Sequence, residues 1–223
     1  MIPSPGSVTT TLLYSTLDDQ NAIVQPAAGV GGKTNLTETD FVSGHNGKGA
    51  QFKLGQGTFI SFPMQQGEQH NVDFAQGEVE FWYKSNFVAG GDTSYRKFFL
   101  IGSHENHRGI LLYVGDGTLI LLVEGSGPIY REIVTGEAWK APLWKAGQWV
   151  KIRVRWDAAK ASDALQIYVN GNKVDGHSDD PGGWDLQPED GDAIYIGGAD
   201  EHGADPADGV IDEFFIRRLA PPI

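Results

Sequence analysis

Two glutamates, Glu78 and Glu80, stand one residue apart in the stretch "GEVEFWYK". Side chains two apart on a β-strand point to the same face, so these carboxyl groups would lie side by side. Glycoside hydrolysis uses such a pair, with the carboxyl groups about 5–5.5 Å apart in retaining enzymes and about 6.5–9.5 Å apart in inverting ones. Two residues on one strand face can meet either separation. If the chain is an enzyme, Glu78 and Glu80 are its candidate acid and base.

A second stretch, "QWVKIRVRW", carries the complementary charge. Lys151, Arg153 and Arg155 alternate with apolar residues there, so they would share one face of a strand. The face that carries the two glutamates also carries Trp82 and Lys84. Each strand therefore has an apolar face for a core and a charged face that is not part of it.

Three interpretations of these charged faces stay open. The strands can be neighbours whose charges form cross-strand pairs, each contributing about 0.2–1 kcal/mol. The combined face can instead bind a polar ligand such as a sugar chain, which would stack on aromatic rings and hydrogen-bond to the charged groups. Catalysis by the paired glutamates is the third interpretation. On the binding interpretation, the ligand-contacting residues are Trp82, Lys84, Lys151, Arg153, Arg155 and Tyr168.

Two predicted loops hold further candidates. Trp184 lies in a long polar stretch, residues 177–192, where it either packs over a sheet edge or is offered to a ligand. It therefore joins the ligand-binding candidates. His104 and His107 are three residues apart in "SHENHRG", a spacing that could ligate zinc or copper. The stretch lacks the helical His-Glu-x-x-His pattern, which favours ordinary loop histidines.

About a dozen short β-rich runs, separated by turns rich in Gly, Asn and Pro, would position these residues. The clearest turn is Asn170-Gly171 in "YVNGNKV", which is typical of a type I′ hairpin. Many short strands without a long helical pattern predict an all-β chain, folded as a two-sheet antiparallel jelly-roll sandwich. We expect a single domain over residues 1–223.

Composition limits the classes of partner. The formal net charge is −12, which argues against a nucleic-acid surface because phosphate binding needs clustered basic residues. No run of apolar residues is long enough to predict a membrane span. The chain has no cysteine, so disulfides and thiolate metal sites are excluded. Its start, "MIPSPGSVTT", shows no secretory signal pattern, and we expect an extracellular or virion-surface location reached after signal removal or by lysis.

Several motifs, taken in order, resemble one family. "GKGAQFKLGQGTFISF" is similar to its glycine-flanked strand pair, and "GEVEFWYKSN" and "KAGQWVKIRVRWD" to two central strands. "LQIYVNGNKV" resembles its Asn-Gly hairpin, and "IYIGG…DGVIDEFFIRRLA" its C-terminal ending. Together they resemble the laminin-G-like, concanavalin A-like jelly roll from about Leu12 to Leu219. This fold hosts lectins, adhesion modules, glycosidases, lyases and virion proteins.

The resemblance implies a structural calcium ion. In this family, an acidic residue of the "IDE" ending often joins one from the N-terminal strand, which here suggests Asp212 with Asp18 or Asp19. Backbone carbonyls of the loop 44–50, including that of Lys48, would complete the site, since calcium takes carboxylate and carbonyl oxygens. Alternatively, Asp212 accepts hydrogen bonds from buried amides and Glu213 pairs with a nearby arginine, Arg217 or Arg218.

The leading functional prediction is a non-catalytic jelly-roll protein that binds carbohydrate or another surface ligand and carries a structural calcium. Its partner would be a polysaccharide or glycan. One alternative is a virion protein, such as a phage head decoration or tail component, or a cell-surface adhesion protein with other surface proteins as partners. Another is a glycoside hydrolase or polysaccharide lyase, although Lys84 departs from the family's Glu-x-Asp-x-x-Glu strand motif.

Overall fold

The computed structural model describes residues 9–87, 94–125, 130–135, 143–174, 176–178 and 183–219. These residues form two eight-stranded antiparallel sheets and one small hairpin. The strands, in chain order, are β1 (Thr9–Ser15), β2 (Lys33–Thr34), β3 (Phe41–Ser43), β4 (Lys48–Phe52), β5 (Ile60–Pro63), β6 (Gln65–Gln66), β7 (Gln69–His70), β8 (Gln76–Ser85), β9 (Arg96–Ser103), β10 (Arg108–Gly115), β11 (Thr118–Glu124), β12 (Tyr130–Thr135), β13 (Trp149–Asp157), β14 (Leu165–Val169), β15 (Asn172–Lys173), β16 (Gly176–Ser178), β17 (Ala193–Ile196) and β18 (Gly209–Leu219). The predicted all-β, two-sheet antiparallel sandwich is confirmed.

Sheet A has the strand order β15-β14-β13-β8-β18-β4-β3, and β1 pairs with β18 as well. Sheet B has the order β16-β12-β11-β10-β9-β17-β5-β2. Both orders join strands that are distant in sequence. The first strand, β1, pairs with the last, β18, so the two ends of the described chain meet there. The small hairpin joins β6 to β7.

The core lies between the inner faces of the two sheets. In β8 and β13 every second residue is buried, and all of these except Ser85 are nonpolar, as the alternating pattern predicts. Phe81 of β8 packs edge-on against Phe99 of β9, with ring centroids 6.4 Å apart, and stacks on Phe214 of β18 at 5.8 Å. Aromatic rings in such offset arrangements add to the free energy gained by burial alone. The sheets are thus held together by aromatic side chains from β8 and β18 of one sheet and β9 of the other.

Two backbone details position functional residues. Asn170 and Gly171 both have positive φ, 51° and 82°, which confirms the predicted type I′ turn between β14 and β15. In β18 the register with β8 shifts between Asp212 and Phe215, and Glu213 has φ of 55°. This bulge turns the Glu213 side chain out of the regular alternation.

Helical structure is limited to short connections in the described part of the chain. The helix α1 (Gln20–Val24) begins after Asp19, whose carboxylate accepts a hydrogen bond from the Ala22 amide at 2.8 Å. A single 3-10 turn covers Glu38–Asp40. None of the helices among the described residues has the length and apolar character that a membrane crossing would require.

Candidate functional site

The charged outer face of sheet A is a network of cross-strand ion pairs. β8 and β13 are direct neighbours, and their register places Arg155 opposite Glu78 and Arg153 opposite Glu80. Arg155 Nε lies 2.6 Å from Glu78 Oε2, and Arg217 of β18 donates to Glu78 Oε1 at 2.9 Å. The structure therefore agrees with the interpretation in which the two strands pair their charges.

The two glutamates are engaged by basic groups on all sides. The Glu78 side chain is only 4% exposed and has three guanidinium neighbours, those of Arg153, Arg155 and Arg217. Glu80 lies 3.2 Å from Lys151 Nζ and 3.4 Å from Arg217 Nη1. Carboxylates held in this way neutralise the surrounding cations and are not offered to a substrate. The geometry gives no support to Glu78 and Glu80 as an acid and base pair.

The aromatic rings on this face are covered. The His45 ring stacks on Trp82, with centroids 3.6 Å apart and planes 9° apart, and Lys151 lies 5.4 Å from the Trp82 ring centroid. Arg153 covers Tyr168 at 4.3 Å. A sugar ring needs an open aromatic face for stacking, so Trp82 and Tyr168 do not offer the platform that the sequence suggested.

Trp184 belongs to the core, and its prediction as a ligand-binding residue is wrong. Its exposed fraction is 5%, and its indole N–H donates to the Phe74 carbonyl oxygen at 3.0 Å. An indole in a polar loop can fold back over a sheet because its large apolar surface gains more from burial than from exposure. Of the two sequence interpretations, packing over the sheet edge is the one observed.

The predicted calcium residues converge on one loop, the turn 44–47 between β3 and β4. Asp18 Oδ1 accepts a hydrogen bond from the Lys48 amide at 2.7 Å. Asp212 Oδ2 accepts from the amides of His45 and Asn46, at 2.7 and 2.9 Å. The structure thus brings Asp18, Lys48 and Asp212 together, whereas Asp19 caps α1.

Glycine at position 44 permits this convergence. A Cβ atom there would clash with both Lys48 O and Asp212 Oδ2, so the carbonyl oxygen and the carboxylate are close neighbours. Both atoms are acceptors, which repel one another unless a donor or a cation lies between them. The loop therefore gathers oxygen atoms of the two kinds that calcium ligates.

Asp212 is an incompletely satisfied buried carboxylate. It is 0% exposed, and its Oδ1 atom has no hydrogen-bond partner among the described residues. Burial, with the charge of Glu213 adding to it, raises the pKa of Asp212 to about 6, although the amides of Asn46 and His45 act in the opposite direction. Burying a charge without a compensating partner is costly, so this oxygen is poised to meet a cation.

Within the part of the chain that the structure describes, the side chains that donate to Glu213 are neutral, which corrects the alternative of a pair with Arg217 or Arg218. Tyr14 donates its hydroxyl to Glu213 Oε2 at 2.6 Å, and Asn46 Nδ2 donates to Oε1 at 2.8 Å. Burial and the bond to Glu213 raise the pKa of Tyr14 to about 12. Arg217 instead forms an ion pair with Glu78 of β8. Arg218 Nε lies 2.7 Å from Asp73 Oδ2.

A calcium ion at this place would need mixed ligands. Within the described residues, no three His, Cys, Asp or Glu side chains cluster in a way that could hold a metal. A site built from Asp18, Asp212 and the Lys48 carbonyl has two carboxylates and a backbone oxygen, so it relies on main-chain ligands. Calcium accepts such mixtures and commonly adds water.

Sequence reasoning missed a cleft on the outer face of sheet B. Its volume is about 390 Å³, and it lies over β9, β10 and β11. Tyr95 is 51% exposed at one end, and its ring stacks with that of Tyr113 at 6.0 Å and 21°. Leu100, Leu111 and Leu122 form one cross-strand row of the cleft. The cleft thus combines an open aromatic platform with an apolar floor.

Polar groups also line this cleft, beginning with Lys97, which lies opposite Tyr113 in the β9–β10 pair. Lys97 Nζ lies 3.2 Å from His104 Nε2, and Asp200 Oδ2 lies 3.5 Å from His104 Nδ1. Because an ammonium group only donates, Nε2 accepts and the ring proton faces Asp200. Lys97 also lies 2.9 Å from Asp205 Oδ2. This network orients the imidazole of His104.

Further charged and polar groups complete the cleft wall. Arg108 is buried and ion-paired to Asp192, and it donates to the Gln187 carbonyl at 2.6 Å. Glu124 and Ser103 line the cleft with hydrogen-bonding oxygens. Because its cations are paired within the protein, the cleft suits a neutral polar ligand more than a charged one.

The signal for this cleft was present but indirect. β9, β10 and β11 read as nearly continuous apolar runs, which predict strands buried on both faces. The two glycines Gly102 and Gly109 are the sequence feature that indicates the cleft. They face each other across β9 and β10 with φ of 142° and 137°. As a result, the backbone of these two glycines lies between the row of leucines and the turn that carries His104 and His107.

Comparison with known proteins places the fold. No curated protein matches the sequence. Domain 4 of AbnA, a GH43 extracellular arabinanase from Geobacillus stearothermophilus solved with arabinotriose, is similar with a TM-score of 0.63 and 21% identity, over 96% of this chain and 95% of that one. The botulinum neurotoxin serotype D binding domain is similar with a TM-score of 0.63 and 13% identity, over 95% of this chain.

The chain spans about half of the neurotoxin binding domains, covering 48% of the serotype D domain. Another structure of that domain was solved with N-acetylneuraminic acid and matches with a TM-score of 0.62 and 13% identity, over 95% of this chain and 48% of that one. At these identities the likeness establishes the fold alone. The Laminin_G_3 family model matches residues 54–220, so the chain belongs to the concanavalin A-like lectin/glucanases superfamily.

Proposed function

We propose that this protein binds carbohydrate, without cleaving it, in the cleft on the outer face of sheet B. The observation that carries the proposal is the exposed ring of Tyr95 next to Tyr113 above an apolar floor. Apolar clefts with a few convergent polar groups are the usual form of small-ligand sites. Sugars present C–H faces for stacking and hydroxyl groups for hydrogen bonds, which match the aromatic and the polar groups that line this cleft.

The charge state of the cleft supports a neutral glycan. Lys97 is paired with Asp205, and Arg108 with Asp192, so the cleft has little surplus charge. Glu124, Ser103 and the oriented His104 supply acceptors and donors for hydroxyl groups. Similar folds were solved with arabinotriose, which is neutral, and with N-acetylneuraminic acid, which is anionic, and both support a glycan as the class of ligand.

A structural calcium ion is part of the proposal. The carboxylates of Asp18 and Asp212 and the carbonyl of Lys48 would hold it, with Asp212 Oδ1 as the oxygen that gains a partner. When bound, calcium would neutralise buried charge and tie β1, the 44–47 turn and β18 together. It would act on stability and not as a catalyst.

A polysaccharide and glycan array tests the binding proposal, with reducing-sugar release measured on the same samples. We expect binding to at least one neutral glycan and no released oligosaccharide. Release of sugar would contradict a non-catalytic role. The absence of detectable binding to every glycan on the array would contradict carbohydrate binding. The extracellular location belongs to this proposal, and no feature of the described residues favours the virion alternative.

A further inference from the structure

The middle of the cleft floor is a row of three leucines, Leu100, Leu111 and Leu122. Leu111 of β10 pairs with Leu100 of β9 on one side and with Leu122 of β11 on the other, so the three side chains lie next to one another on the outer face of sheet B. Neighbouring strands are about 4.8 Å apart, which makes this leucine row roughly 10 Å long. A ligand in the cleft therefore meets a continuous apolar surface at its centre.

The leucine row belongs to the cleft and not to the core between the sheets. The core takes the residues that alternate with it, among them Ile101 of β9 and Leu121 of β11. Leu100 and Leu122 line the cleft, and they are only 4% and 6% exposed although they lie on an outer face. The row is thus recessed at the bottom of the cleft, where a bound group is largely removed from water.

Polar groups lie beside the leucine row and not on it. Two residues further along β10, Tyr113 pairs with Lys97, which is hydrogen-bonded to His104. Two residues back along β10, Gly109 pairs with Glu124. Residues two apart on a strand are roughly 6.6 Å from each other, so both polar margins are about that far from the row. The leucines themselves offer neither a donor nor an acceptor.

The margins and the row suit different parts of one ligand. A sugar hydroxyl held over the leucines would give up its hydrogen bonds to water and gain none, which costs free energy. An apolar group placed there has no such cost, and its burial is favourable. Tyr95, whose ring stacks on that of Tyr113, lies at the same margin as Lys97 and His104. The aromatic platform for a sugar is therefore adjacent to an apolar slot.

The cleft has room for both parts. Its volume of about 390 Å³ is in the lower part of the range of small-ligand sites, roughly 300–1,000 Å³. Gly109 lines the cleft next to the leucine row and has no side chain to fill that space. One sugar unit with one ring attached matches this volume, whereas a long glycan would extend beyond the cleft. The size therefore favours a short ligand with two unlike parts.

We propose that the cleft recognises a sugar that carries an apolar substituent about the size of one six-membered ring. The inference rests on the carbohydrate function proposed above and names the chemical class of that ligand. The sugar lies over Tyr95 with hydroxyl groups toward Lys97 and His104, and the substituent lies along the leucine row. An aryl glycoside, an aroyl ester and an alicyclic glycoside share this chemistry.

The test compares phenyl, cyclohexyl and methyl glycosides of glucose, galactose, xylose and arabinose by isothermal titration calorimetry. For at least one sugar, we expect a ring-bearing glycoside to bind at least about tenfold more tightly than its methyl glycoside, since burying a ring of this size is worth more than a factor of ten in affinity. Saturation-transfer difference NMR on the same samples should show the strongest transfer to protons of the ring. The phenyl and cyclohexyl probes distinguish an aromatic from an aliphatic substituent.

The outcomes separate this inference from the proposed function. Equal affinity of methyl and ring-bearing glycosides would overturn the inference and leave carbohydrate binding in place. The same holds if a neutral glycan binds on the array while every ring-bearing glycoside fails to bind. Phenol and cyclohexanol carry the ring without the sugar. If either binds as tightly as its glycoside, the sugar contributes nothing to affinity, which would contradict both proposals.

Variants of the leucine row locate the substituent. Leu111→Asn puts a polar group at the centre of the row and should lower the ratio of phenyl-glycoside to methyl-glycoside affinity at least about threefold. Leu54→Asn is the matched control, because Leu54 is 53% exposed in the turn after β4 and does not line the cleft. This ratio should be unchanged in Leu54→Asn.

Leu111→Ala is a milder change at the same half-buried position and keeps the test available if Leu111→Asn does not fold. It should lower the ratio in the same direction, because it removes apolar surface from the row. A ratio that is unchanged in the folded Leu111 variants, or that falls equally in Leu54→Asn, would overturn the inference. Circular dichroism of each variant establishes that it is folded.

Discussion

At the scale of single residues, Glu78 is a buried carboxylate whose charge is balanced by three arginines. Its role follows from its place beneath the guanidinium groups and not from its proximity to Glu80. Removing one member of such a network leaves the remaining buried charges without compensation, which costs more than the pair itself contributes.

Glu78→Gln should therefore lower the free energy of unfolding by about 1–3 kcal/mol, toward the lower end because the arginines are partly exposed to solvent. Urea unfolding followed by tryptophan fluorescence measures this change. Glu68→Gln, at an exposed turn, is the matched control and should be nearly neutral. A neutral Glu78→Gln accompanied by loss of a hydrolytic activity would instead favour the catalytic interpretation.

Substitutions of Trp184 test whether this side chain packs in the core or contacts a ligand. Trp184→Ala should destabilise the protein by about 3–5 kcal/mol, because it removes a large buried ring and leaves a cavity. Trp184→Phe keeps most of the volume but loses the hydrogen bond to Phe74 O, so we expect a loss of about 1–2 kcal/mol. Unchanged stability together with weakened glycan binding would return Trp184 to the binding surface.

At the scale of elements, the pairing of β9 with β10 depends on two glycines without side chains. A Cβ atom on Gly109 would clash with the Ile101 carbonyl oxygen, and its φ of 137° is unfavourable for any other residue. The close approach of the two strands sets the floor of the cleft.

Gly109→Ala should lower the free energy of unfolding by at least about 2 kcal/mol, since it combines backbone strain with a steric clash. Gly67→Ala is the control, because Gly67 also has positive φ, 60°, but its added methyl group would meet nothing within 4 Å. Thermal unfolding of the two variants separates strain from clash. Equal effects would mean that the strand approach at Gly109 is not tight.

The turn 44–47 is the element through which calcium would act. Adding 1 mM calcium after EDTA treatment should raise the melting temperature by about 5 °C or more, as expected for a ligand far above its Kd. Asp212→Asn should abolish this rise and, in EDTA, be at least as stable as the wild type, because burial disfavours the charge of Asp212. Differential scanning fluorimetry measures both effects.

Asp116→Asn is the control for the calcium experiment. Asp116 is exposed in a turn with φ of 48°, a conformation that asparagine also adopts, so the rise with calcium should persist. A calcium response that is unchanged in Asp212→Asn would contradict the proposed ligands. In that case Asp212 would serve only to accept the amides of His45 and Asn46.

At the scale of the whole molecule, the alternation in β8 and β13 predicted both sheet faces and left the pairing of the two strands as one of three open interpretations. The Asn170-Gly171 turn and the two-sheet architecture also followed from local pattern. The covering of Trp82 by His45 did not, because it brings together residues 37 apart in sequence through a turn fixed by Asp212. The alternation of residues along a strand predicts which face of the sheet a side chain lies on, but not which residue of another element covers it.

The cleft escaped sequence reasoning for a related reason. Its floor is made of leucines on three strands, Leu100, Leu111 and Leu122, which are indistinguishable in sequence from core residues. Tyr95 lies just before β9. Its sequence position alone does not indicate a binding role, which is suggested by the stacking of its ring on Tyr113 in the fold. Long-range register, which single strands do not encode, assembled this site.

The central claim is that carbohydrate binds over Tyr95 on sheet B and not over Trp82 on sheet A. The most direct measurement is isothermal titration calorimetry of wild type, Tyr95→Ala and Trp82→Ala with the best neutral glycan from the array. We predict that Tyr95→Ala weakens binding at least about fivefold while Trp82→Ala leaves it unchanged. Loss of affinity in Trp82→Ala with Tyr95→Ala unaffected would contradict the account and return the site to sheet A.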